Sequence, residues 1–175
     1  MLLVLIIGAS ISSGYSGTPS GELVANRLNL PVQNEARVAQ GLTRYVDKLV
    51  IKDNTLVINL DGSYWDSYNR DCTGAVKAVK TLYTKTNNSY VVMATVPNRQ
   101  AEGFYHFIAG TETNIQGCRE DINKEIITGC KTNCLLLDAD ELYKGREESD
   151  IHLTPSDWKK VADHIMEKLY VNEAL

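Results

Sequence analysis

Apolar residues fall along the chain in short continuous runs, separated by stretches with helical spacing. Leu2–Ile7, Thr55–Leu60, Tyr90–Thr95 and Cys134–Leu137 are runs of strand length with little polar alternation. Continuous runs of this kind are what parallel strands covered on both faces require. Pro31–Gln33 is a shorter candidate for a fifth strand. Between the runs, Glu22–Leu28 follows a Pro19-Ser20 start signal, and Ala75, Val76, Val79, Leu82 and Tyr83 recur mostly at three- and four-residue steps. Ala36, Val38, Ala39, Leu42, Tyr45, Val46 and Leu49 show similar spacing and predict another helix, while Asn114–Thr128 is a less regular one. The last helix has the clearest start. Thr154 stands as a cap before Pro155, and Trp158, Val161, Ile165 and Leu169 form one stripe that reads as core.

Strands that alternate with helices predict an α/β fold, a three-layer sandwich around a central, mostly parallel five-stranded sheet. The 175 residues fit one domain, 1–175. Reactive groups in such sheets gather at the carboxyl ends of the strands. That directs the search to Gly8–Ser13, Leu60–Asp66, Thr95–Arg99 and Asp138–His152.

Composition narrows the class further. With 43% hydrophobic and 23% charged residues the chain reads as a soluble globular protein. Its 18 basic and 22 acidic side chains give a net charge of −4, which offers nothing to neutralise a phosphate backbone and argues against nucleic acid as a partner. Leu2–Ile7 is too short for a signal-peptide core or a membrane span, so the compartment must be read from the cysteines. Of Cys72, Cys118, Cys130 and Cys134, only the last two stand near zinc-ligand spacing, and no second pair follows to complete a metal site. An even count allows two disulfides in an oxidising compartment or four thiols in the cytosol. The closeness of Cys130 and Cys134 at a turn leans towards the pairs Cys130–Cys134 and Cys72–Cys118, and with them towards a periplasmic or secreted protein.

The chemistry centres on two segments. Gly8-Ala9-Ser10-Ile11-Ser12 follows the first strand, and a serine at a strand-to-helix turn has outward-pointing N–H groups beside it that can hold an oxyanion. Near the other end, His152 stands in the loop before the last helix, whereas His164 lies within that helix and His106 in an apolar-aromatic stretch. Serine attack needs a base, and the base needs an orienting group, for which Asp150 is near.

Together these segments resemble the SGNH (GDSL) hydrolases. Gly8-Ala9-Ser10-Ile11-Ser12 is similar to the family's Gly-Asp-Ser-Leu-Ser block, Asn34 to Gly41 to its second block, and Ser149 to Thr154 to the final Asp-x-x-His block. The resemblance implies a flavodoxin-like sheet and a serine esterase acting on acyl or acetyl esters of small molecules, lipids or carbohydrates, without a cofactor. It also implies Ser10 as nucleophile, His152 as base, and an oxyanion hole from the N–H groups of Ser10 and Gly41, Ala39 being the alternative to Gly41. Three positions depart from the pattern. The usual aspartate of the first block is Ala9; the third block, Gly-x-Asn-Asp, falls in Asp61-Gly62-Ser63-Tyr64-Trp65, which puts Ser63 at the oxyanion asparagine if it starts at Asp61 and Tyr64 there if it starts at Gly62; and Ser149 occupies the acid position, with Asp150 one residue later.

Two other classes fit parts of the sequence. A non-catalytic binding module on the same fold is consistent with the altered blocks. A dinucleotide-binding oxidoreductase is suggested by Gly8 to Gly14, but Ser12 fills the position where glycine lets the backbone approach pyrophosphate, and no Tyr-x-x-x-Lys pair occurs.

Overall fold

A computed structural model of the chain describes residues 1–14, 17–68, 71–98, 112–146 and 152–171, with the side chains of 68 and 112–117 excepted. Five strands form one sheet: β1 (Leu3–Ile7), β2 (Val32–Asn34), β3 (Thr55–Asn59), β4 (Tyr90–Ala94) and β5 (Cys134–Leu137). Their order is β2-β1-β3-β4-β5, and every pairing is parallel. The helices are α1 (Ser10–Ser13), α2 (Ser20–Leu28), α3 (Tyr64–Tyr68), α4 (Cys72–Lys85), α5 (Glu112–Gly129), α6 (Ala139–Leu142) and α7 (Pro155–Val171).

Alternate strand residues enter two separate cores. Val4, Ile6, Leu56, Ile58, Val92 and Ala94 pack with Val24 of α2 and with Trp158, Val161, Ile165 and Leu169 of α7. Leu5, Ile7, Val57, Val91 and Met93 face the other way, onto Ala75, Val79 and Leu82 of α4 and Ile122 and Ile126 of α5. All five residues of β3 are buried, which accounts for the lack of polar alternation in its sequence. The three-layer sandwich with a parallel sheet is thus the one expected. The stripe on α7 is core, and its start is a reciprocal cap: Asp157 N–H donates to Thr154 Oγ1 at 3.3 Å, and Thr154 N–H donates to the Asp157 carboxylate at 3.0 Å.

The helix expected from Ala36 to Leu49 does not form. Two short 3₁₀ turns, Leu42–Arg44 and Val46–Lys48, follow an irregular stretch in which Ala39 has φ +57° and Gly41 is extended at φ −81°, ψ 167°. Leu42, Tyr45 and Val46 still share one inward face, so three- and four-residue spacing arose from consecutive turns rather than from one helix.

Both expected disulfides are present, Cys72–Cys118 joining α4 to α5 and Cys130–Cys134 joining the residue after α5 to the start of β5. Among the described residues no helix is long and apolar enough to cross a membrane. The two bridges differ in the chain they close, with sequence separations of 46 and 4 residues. Loop-closure entropy then predicts a cost of about 4 kcal/mol for Cys72→Ala/Cys118→Ala and about 2 kcal/mol for Cys130→Ala/Cys134→Ala. Urea unfolding of the two double variants against wild type checks the ranking, and equal losses would contradict it.

Candidate active site

The chain leaves β1 for the sheet edge at β2 and then returns to β3 on β1's other side, so the strand order reverses between β1 and β3. A crevice opens at the carboxyl ends of two strands that part in this way. The segments that meet there are Gly8–Ser13 after β1 and Leu60–Ser63 after β3. Gly8 has φ +121°, and a Cβ on it would lie 2.2 Å from Asp61 Oδ2 and 2.4 Å from Ser12 Oγ, so conformation and space both demand glycine. The Tyr45 hydroxyl accepts from Gly8 N–H at 2.6 Å and donates to Gly8 C=O at 2.9 Å, and the N–H of Arg37 donates to the same carbonyl at 3.0 Å. Burial raises the Tyr45 pKa, which keeps the phenol proton in place for that bridge.

The serines of this loop separate by their partners. Ser12 is buried; its hydroxyl donates to Asp61 and accepts from Leu60 N–H at 2.9 Å. The Ser13 hydroxyl donates to Ser10 C=O at 3.1 Å, and the Ser20 hydroxyl donates to Trp158 C=O at 2.9 Å. Ser16 lies outside the described residues. Among the described serines of the loop, Ser10 is the one whose hydroxyl meets an imidazole, with Oγ 2.9 Å from His152 Nε2.

His152 reaches that position from the start of α7, 142 residues along the chain. Leu153 beside it is buried in the α2–α7 core, and the Thr154–Asp157 cap fixes the next turn. Arg146 ties the loop from the other side: its guanidinium pairs with Asp157 and donates to His152 C=O at 3.1 Å. Burial lowers the His152 pKa below its ordinary value, so the imidazole is neutral, as a base must be, at neutral pH.

Two acidic side chains that the sequence reading passed over organise the remainder. Asp61, fully buried, accepts from the N–H groups of Ala9 at 2.8 Å, Ile11 at 3.1 Å and Ser12 at 3.0 Å, as well as from the Ser12 hydroxyl. Its burial raises the carboxyl pKa, and these hydrogen bonds work against that rise. Asp66, also raised by burial, accepts from Thr43 Oγ1 at 2.5 Å, Thr43 N–H at 3.3 Å and the Ser63 hydroxyl at 3.1 Å. It thereby binds the loop after β2 to the loop after β3.

Of the residues singled out from the sequence, Ser10 and His152 are therefore in hydrogen-bond contact. Gly41 is buried against Asp66, Ala39 is exposed with a left-handed backbone, and Ser63 is buried with its hydroxyl turned to Asp66. Asp150, with Ser149, lies outside the described residues. A signal for Asp61 did exist: Ala9 stands where a helix start wants a side-chain acceptor, so the acceptor had to come from elsewhere.

No family model matches the chain, and no curated protein matches it. Solved structures do resemble it along its length. A protein described as lipolytic and of the G-D-S-L family, from Desulfitobacterium hafniense, is 14% identical with 100% of both chains covered and a TM-score of 0.64. An aryl esterase of M. smegmatis is 14% identical over 98% of this chain and 99% of its own, with a TM-score of 0.61. A carbohydrate acetylesterase from Sinorhizobium meliloti is 13% identical over 98% of this chain and 99% of its own, with a TM-score of 0.63. Identities this low are a likeness of fold. The chain has the fold of the SGNH (GDSL) hydrolases, and its neighbours in structure are esterases and lipolytic proteins.

Position 41 offers a direct check on the Asp66 clamp. The backbone of Gly41 is one any residue adopts, but a Cβ there would lie 1.8 Å from Asp66 Oδ1, so Gly41→Ala must push the carboxylate off Thr43 and Ser63. We expect a loss of about 1–3 kcal/mol in urea unfolding. Gly41→Ala/Asp66→Ala should lose less than the sum of the two single changes. Simple additivity would mean that the two positions do not share the contact.

Proposed function

We propose that the protein is a serine esterase that hydrolyses carboxylic esters through an acyl-enzyme on Ser10. The observation that carries this reading is the 2.9 Å contact between Ser10 Oγ and His152 Nε2, because a nucleophile and its base must first lie within hydrogen-bond reach. It is supported by the position of that pair at the sheet's switch point and by the neutral imidazole that burial favours.

In this mechanism His152 Nε2 takes the hydroxyl proton as Ser10 Oγ attacks the ester carbonyl carbon. The negative charge that moves onto the carbonyl oxygen is met by the N–H groups of Ser10 and Gly41, or of Ala39 in place of Gly41. Ser63 joins them when its single hydroxyl proton turns from Asp66 to the oxyanion. Collapse of the tetrahedral species breaks the bond to the alcohol, which leaves with the proton from His152. Water, deprotonated by the same nitrogen, then releases the acid. Asp150 holds the Nδ1 proton of His152 and steadies the imidazolium. No cofactor enters. Proposed substrates are small acyl or acetyl esters, of lipids or carbohydrates, the ester classes of the structural neighbours.

A dinucleotide would need its pyrophosphate against the amides of the first turn. Three of those amides already donate to Asp61, whose own negative charge would face the phosphates. A binding module without activity is separated from an esterase by a fluorophosphonate probe, which marks only an activated serine.

Wild type should be labelled at Ser10 and turn over p-nitrophenyl acetate, while Ser10→Ala and His152→Ala each abolish nearly all turnover with the fold retained. Full labelling of His152→Ala would remove the base from the scheme. Asp150→Asn should lower kcat by more than about 10²-fold, through the wrong imidazole tautomer.

The acid limb of kcat/KM follows from the direction of the His152 shift. A lowered pKa means that the base stays unprotonated further into acid, so half-maximal kcat/KM should fall below about pH 6.5, the ordinary histidine value. A limb centred above that pH would exclude His152 as the titrating base.

A further inference from the structure

The first turn of α1 begins without a cap of its own. Ala9 is its N-cap, and a methyl group accepts no hydrogen bond. The first amides of a helix have no intrahelical partner, and the usual remedy is an oxygen on the N-cap side chain that accepts from the second or third helical N–H. In α1 those are the amides of Ile11 and Ser12, and both donate to Asp61, at 3.1 and 3.0 Å. The N–H of Ala9 donates to it as well, at 2.8 Å, and so does the Ser12 hydroxyl. Three of the four donors, the amides of Ala9 and Ser12 and the Ser12 hydroxyl, converge on Oδ2, and the Ile11 amide takes Oδ1. Of the amides of residues 9 to 12, that of Ser10 alone has no acceptor among the described residues.

We propose that Asp61 is a positioning residue, a helix cap delivered from the end of β3 in place of one at residue 9, which holds the Ser10 amide and hydroxyl in their attacking orientation. The inference rests on the reading of Ser10 as nucleophile. The division of the flanking amides between the two oxygens is the device. Oδ2 holds the turn through Ala9 and Ser12 and Oδ1 holds it through Ile11, while the Ser10 N–H between them is given no acceptor there and the Ser10 hydroxyl meets His152 Nε2. The carboxylate fixes the turn at three amides that lie on either side of Ser10. Gly8 is part of the same arrangement, since any side chain there would occupy the carboxylate's place.

Asp61→Asn tests this, because a carboxamide accepts through one atom only and turns an N–H₂ donor towards either the Ile11 amide or those of Ala9 and Ser12. We expect the fluorophosphonate labelling rate and kcat for p-nitrophenyl acetate to fall at least about tenfold with KM within about threefold. Hydrogen exchange of the Ile11 and Ser12 amides should quicken, a readout that needs no turnover. Ala9→Asp/Asp61→Gly moves the carboxylate to the N-cap, where it can accept from those same amides, and should restore most of the labelling rate and of the protection. A folded Asp61→Asn protein that labels as fast as wild type would overturn the proposal. So would a double variant that regains thermal stability without labelling rate, or one that fails to fold, since the cap would then not be transferable. A wild-type protein that is inert to the probe yet keeps the Ile11 and Ser12 amides protected would count against Ser10 as nucleophile and leave the cap standing.

Discussion

A carboxylate taken wholly out of water must find donors for its lone pairs or give up its charge, and Asp61 meets that condition with the backbone of the turn that carries Ser10. Much of the upper sheet follows from this one requirement. Gly8 cannot bear a side chain, Ser12 must turn inward, and the end of β3 must lie close enough to β1 for the reach to be made, as adjacent parallel pairing ensures. Asn59, the last residue of β3, carries the next step by accepting from the N–H groups of Asp61 and Gly62 at 3.0 and 3.2 Å. The loop is thus held by polar groups whose alternative is to remain buried and unpaired, a costlier state than the loss of an ordinary surface contact.

The outline of the fold could be read from the sequence because its determinants are local. Each strand interior is a continuous apolar run, and α7 announces itself through Thr154, Pro155 and a stripe at helical spacing. Residues 36 to 49 misled for an equally local reason. Leu42, Tyr45 and Val46 need only face the same core, and two 3₁₀ turns satisfy that as well as one helix does. The backbone leaves the helical region at Ala39, which is left-handed, and again at Gly41, which is extended.

The site divides in the same way. Ser10 and His152 are singled out by short motifs, each of which describes its own loop, and the structure sets the two side chains 2.9 Å apart. Asp61 could not be found like that. The need for it shows in Ala9, but the supply lies 52 residues away, and nothing local ties the two until β1 and β3 are set side by side. Ser63 shows the reverse case: its position suggests a donor to substrate, while its proton goes to a buried neighbour three residues later, which spacing alone does not reveal.

The two cores of the sandwich hold different parts of this site. His152 is seated through Leu153 and α7 on the core shared with α2, whereas Leu42 and Tyr45, which carry the loop after β2, rest on the core shared with α4 and α5. The candidate site is therefore a joint between two packed bodies, kept in register by the sheet that runs between them. Only the second body is stitched, since Cys72–Cys118 joins α4 to α5 within it and Cys130–Cys134 closes its lower end. A reducing environment would free the ties within the second core and none within the first, so redox state would act on one face of the sheet alone.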